Sequence, residues 1–74
     1  RMDAFVARER DFTRDASHEL RTPLTVVRMA AELISHDEGL SERSRRSLAR
    51  IQASNTAMET LIDALLLLAR DEQV

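Results

Sequence analysis

The residues best equipped for chemistry in this 74-residue chain are consecutive: His18 is followed by Glu19, with Thr22 and Pro23 close behind. A neutral imidazole can attack an electrophile such as a phosphoryl group. A carboxylate hydrogen-bonded to its other ring nitrogen fixes the tautomer and takes up the charge that develops. His18 and Glu19 supply that pair. Each also has a plainer reading: an exposed histidine is often only a solvated residue, and Glu19 alone is a common helix former. Thr22 lies one turn beyond His18, within roughly 6 Å between Cβ atoms; its plain reading is a hydroxyl bonded back to a helix carbonyl. The plain reading of Pro23 is a kink that lets a long helix follow a curved bundle.

These residues sit in a helical pattern. Phe5, Phe12, Ala16, Leu20, Leu24, Val27, Ala31 and Ile34 are separated by 7, 4, 4, 4, 3, 4 and 3 residues, which places them on one stripe at about 100° per residue. A first helix is expected from about 3 to about 36. Pro23 falls inside it and costs roughly 3 kcal/mol in an isolated helix; since the stripe continues in phase beyond it, a kink is expected rather than an end. His18 lies two residues from both Ala16 and Leu20, about 200° round the axis. The histidine therefore points away from the stripe, on a face it shares with Arg14 and Thr25.

Asp37-Glu38-Gly39-Leu40-Ser41 reads as stop, turn and restart over about 37 to 41: Gly39 is suited to a left-handed conformation and Ser41 to an N-cap. A second helix is expected from about 42 to about 71. Leu48, Ile51, Asn55, Met58, Ile62, Leu65 and Ala69 alternate spacings of three and four, a heptad seam whose one polar member, Asn55, would fix register at some cost in stability. Counting back from a turn centred near Glu38 sets His18 level with Met58 and Glu59. Leu61, Leu66, Leu67 and Leu68 widen the apolar surface beyond what one partner helix can cover, so a second copy is expected. The fold class is all-α: an antiparallel two-helix hairpin that dimerises into a four-helix bundle, one domain over residues 1–74.

Composition agrees with that size and narrows the function. A chain this short, with one glycine, one proline and no cysteine, has neither a large core nor a disulfide framework or thiolate metal site. Charged residues make up 32% and the net charge is -2, a mixed surface rather than a basic field for nucleic acid. No run of about 18 apolar residues is present, so no membrane-spanning segment is expected. No signal peptide is visible, and a helical pattern already under way by Phe5 reads as a domain cut from a longer polypeptide. His36 closes the first helix, where a partly charged imidazole favours the dipole, and has no acid-base constellation around it. It lies 18 residues from His18, roughly 27 Å along a helix, too far for a shared metal; no metal site is expected.

Phe12 with Ala16-Ser17-His18-Glu19-Leu20-Arg21-Thr22-Pro23-Leu24 resembles the acceptor box of sensor histidine kinases, in their dimerisation and histidine phosphotransfer domain. The likeness extends over essentially the whole chain, since that domain is a helical hairpin whose second helix ends near Leu68-Ala69-Arg70. The resemblance implies that His18 is the phosphoacceptor, taking the γ-phosphoryl of ATP and passing it to an aspartate of a response regulator. It implies a general base in Glu19, a residue that positions water for regulator dephosphorylation in Thr22, and a conformational role for Pro23. Gly39 is the only glycine, and nothing resembles the family's Gly-rich lid or asparagine box. The stretch is therefore not expected to bind ATP or to phosphorylate itself. ATP and magnesium belong to a separate catalytic domain.

The partners so implied are a second copy, that ATP-binding domain and a regulator's receiver domain, with no nucleic acid and no direct membrane contact. Part of the leucine surface, Leu67 included, is expected to meet the ATP-binding domain or upstream helices. Val26, Arg28, Arg45, Arg46 and Arg50 lie where a regulator would approach, though the arginines suit solvated faces equally well. By resemblance the parent is a bacterial inner-membrane sensor with this part in the cytoplasm. A purely structural dimerising coiled coil, or a signal-relay hairpin without a nucleophile, would share the heptad seam and Asn55; only chemistry at His18 separates them.

Overall fold

The computed structural model describes the backbone of residues 2–71 and the side chains of residues 7–69. Two helices, α1 (Met2–Ser35) and α2 (Glu42–Asp71), lie antiparallel in a rod of 59 × 16 × 15 Å. No strand occurs among the described residues. Helix α1 runs unbroken through Pro23, because the proline leaves the apolar pattern beyond it in phase. None of the described helices is long and apolar enough to cross a membrane. The side chain of Phe5, the first member of the stripe, and that of Arg70 lie outside the described residues.

The connection departs from expectation in one respect. No described residue, glycine included, has a positive φ, so Gly39 does not take the left-handed conformation. Helix α1 tightens instead: His36 and Asp37 donate to the carbonyls of Leu33 and Ile34, three residues back, at 3.3 and 3.0 Å. Asp37 Oδ1 then accepts the Gly39 N–H at 2.9 Å, an Asx turn that reverses the chain without help from αL. Arg45 donates to the Asp37 carbonyl at 3.1 Å, tying the first turn of α2 to the connection. Ser41 caps α2, its Oγ accepting the Ser44 N–H at 3.0 Å.

The packing divides the apolar stripe in two. The most deeply buried side chains are Ser17 and Ala31 on α1 and Leu48, Asn55, Ile62 and Ala69 on α2. With half-buried Leu24, these recur every seven residues on both helices. They form a narrow seam in which the small Ser17, Ala31 and Ala69 are interspersed with Leu24, Leu48, Asn55 and Ile62. The larger members of the expected stripe face elsewhere: Phe12 is 73% and Leu20 53% exposed, and Val27, Ile34, Ile51, Met58 and Leu65 are also exposed. Half-buried Ala16 belongs to neither extreme. A helix in a bundle has two neighbours, and the hairpin supplies only one of them.

Register within the hairpin is fixed by polar links. Asn55 Nδ2 donates to the Leu24 carbonyl at 3.0 Å, Arg28 pairs with Glu59 at 3.2 Å, and Arg21 pairs with Asp63. With Leu24 opposite Asn55, His18 comes level with Leu61 rather than with Met58 and Glu59. The turn centre lies slightly beyond Glu38, and each residue of displacement there shifts the facing position by two.

Candidate functional site

His18 follows directly on Ser17, which is 2% exposed against α2. One residue of helix turns the imidazole about 100° from that seam, and it stands exposed. Leu20 lies about 200° further round, on the exposed apolar side, so the histidine looks away from the apolar face. The seam against α2 thus holds the helix on one side, and the His18 imidazole remains accessible from solvent.

Glu19, Thr22 and Pro23 are exposed as well. Thr22 shares the His18 face one turn toward the turn end. Glu19 lies beside His18, but successive helix side chains diverge by about 100°, and no hydrogen bond joins them. A base contact between them would have to tighten when a reactant arrives, as catalytic hydrogen bonds commonly do. The face is also charged: Arg14 pairs with Asp11 at 3.2 Å and lies 3.7 Å from Asp15. Among the described residues no cluster of histidine, cysteine and acidic side chains could hold a metal.

Of the groups expected to receive a partner, Val26 is exposed and Leu67 stands in solvent. Arg46 and Arg50 are exposed too. Arg28 and Arg45 are instead engaged, by Glu59 and by the Asp37 carbonyl. Sequence reasoning did not single out Ser17 as an inward residue or anticipate the Arg21–Asp63 and Arg28–Glu59 pairs. The signal for Ser17 is its place seven residues before Leu24 and fourteen before Ala31.

The model of the His Kinase A (phospho-acceptor) domain matches residues 8–74, a span that contains the whole site. The chain belongs to this family. It is 44% identical over 72 residues to the sensor histidine kinase MtrB of Mycobacterium leprae, covering 96% of this chain and 13% of the relative. The sensor histidine kinase TrcS of Mycobacterium tuberculosis is 47% identical over 64 residues, 85% of this chain and 13% of its own length. The sensor protein QseC of Escherichia coli is 34% identical over 70 residues, 95% of this chain and 16% of its own length. The chain therefore spans only about an eighth to a sixth of these relatives. No solved structure matches it.

Proposed function

We propose that this domain is the phosphoacceptor and dimerisation part of a two-component sensor histidine kinase. His18 takes the γ-phosphoryl of ATP from a separate catalytic domain that binds ATP and magnesium, and passes it to an aspartate on a response regulator. The observation that carries the reading is the placement of His18. It is exposed on a helix packed on one side and apolar on another, inside the span matched by the phospho-acceptor family. Phosphoryl transfer rests on in-line positioning and electrostatics, which a rigidly mounted, accessible imidazole satisfies. Glu19 acts as base as the imidazole attacks, Thr22 orients water for removal of phosphate from the regulator, and Pro23 gives α1 a bend that accompanies switching.

The parent protein is read as a bacterial inner-membrane sensor with this part in the cytoplasm; the support is the sensor relatives alone. The domain works as a homodimer, in which a second hairpin covers Leu20, Val27, Ile34, Ile51, Met58 and Leu65 to complete a four-helix bundle. The test is direct. With a catalytic domain and labelled ATP, the chain should acquire an acid-labile, alkali-stable label at His18, and His18→Gln should abolish it. Label of that kind persisting in His18→Gln would overturn the assignment of His18, and a wild-type chain that takes no label would leave a structural coiled coil.

A further inference from the structure

Two polar side chains are buried among the described residues, Ser17 and Asn55; Ser17 belongs to the α1 segment that carries His18, Thr22 and Pro23, and Asn55 meets that segment from α2. Asn55 is the polar member of an α2 seam otherwise made of Leu48, Ile62 and Ala69. Its carboxamide is hydrogen-bonded to the backbone of Leu24, the residue directly after the only proline.

The Leu24 carbonyl already has a helical donor due to it, the N–H of Arg28 four residues on. A second donor on a helix carbonyl draws the peptide toward it and bends the helix locally. Pro23 has removed a donor from the same turn, since it has no N–H to give the Glu19 carbonyl. That turn is consequently the most deformable part of α1, and three polar links tie it to α2: Arg21–Asp63 before the proline, Leu24–Asn55 at it, and Arg28–Glu59 after it. The outer two involve largely exposed arginines and contribute little. The buried link is the one with a fixed geometry.

We infer that Asn55 is a positioning residue: its hydrogen bond to the Leu24 carbonyl sets the bend of α1 at Pro23 and so the orientation of the His18–Thr22 face. Sliding of α2 against α1 pulls on that carbonyl and changes the bend. The inference rests on the functional reading above for its kinetic consequence, while the effect on α1 rests on the hydrogen bond beside Pro23 alone.

The test uses the full-length protein with Asn55→Leu, which removes the donor but fills the heptad seam, so its thermal midpoint should equal or exceed that of wild type. Asn55→Ala is the second variant, for use if leucine does not fit. Spin labels on exposed Asp15 and Glu32, either side of Pro23, are placed in one chain of a dimer whose other chain is unlabelled. The distance distribution between them should shift in the folded variant. The ratio of regulator dephosphorylation to His18 phosphorylation should change by about threefold or more. An unchanged distribution, or a ratio within about twofold of wild type, would overturn the inference and leave Asn55 as a register residue only. If wild type itself takes no phosphate at His18, the functional reading fails, and the distance measurement alone decides the bend.

Discussion

His18 differs from an ordinary surface histidine in what stands behind it. Ser17, its neighbour, is among the most buried residues of the hairpin, so the backbone that carries the imidazole is held against α2. A larger side chain at 17 has no room to enter the seam: Ser17→Leu should destabilise the fold by about 1–3 kcal/mol through overpacking, read as a lower midpoint in denaturant unfolding. Thr22 is tested separately, because its proposed work is on the regulator rather than on the histidine. Thr22→Ala should slow dephosphorylation of a cognate regulator while phosphorylation of His18 continues at its usual rate; equal dephosphorylation rates would remove Thr22 from the site. The outward direction of His18 was legible in the sequence, because a two-residue offset from Ala16 and Leu20 survives any choice of partner for the stripe. The inward direction of Ser17 rests on its heptad offset from Leu24 and Ala31 alone, because a small hydroxyl residue beside a histidine carries no apolar signal of its own.

The helix ends were partly legible for the same kind of reason. Ser41 was readable as a cap because a serine ahead of a new helix has one favourable use for its oxygen, and the structure shows its hydrogen bond to the Ser44 N–H. Ser41→Ala should therefore lower stability by about 0.5–2 kcal/mol, measured by chemical unfolding at fixed protein concentration. Gly39 departs from the pattern of its sequence: glycine after a helix suggests αL, whereas Asp37 accepts a hydrogen bond from the Gly39 amide and closes the turn with no positive φ among the described residues. The seam shows a deeper ambiguity: a spacing of threes and fours fixes that a helix is amphipathic but not how many neighbours share its apolar arc. Leu48, Asn55, Ile62 and Ala69 face α1, while Ile51, Met58 and Leu65, drawn from the same repeat, remain exposed.

The whole hairpin exposes more surface than its mass requires. Its accessible area is 6192 Å², against about 4,600 Å² for a compact chain of this mass. Two such chains merged into a globule of twice the mass would lose roughly 4,700 Å² in total, at the upper end of obligate interfaces rather than transient ones. The excess is not spread evenly: an open groove beside Leu24, Val27, Ile51 and Met58 runs along one side, and a second near the turn is lined by Ile34, Leu40 and Leu48. Exposure alone does not identify the interface, because Met29 is more exposed than Ile51; what distinguishes them is the face. Ile51 borders both grooves, while Met29 lies about 150° round α1 from the inward position of Leu24 and Ala31, toward the His18 side. Ile51→Asp would bury an unpaired carboxylate between two copies, at about 3–5 kcal/mol, raising the dimer dissociation constant by about a hundredfold or more. Met29→Asp should leave that constant unchanged. Sedimentation equilibrium over a range of concentrations reads both, and equal weakening by the two substitutions would show that the dimer face has been assigned to the wrong side of the hairpin.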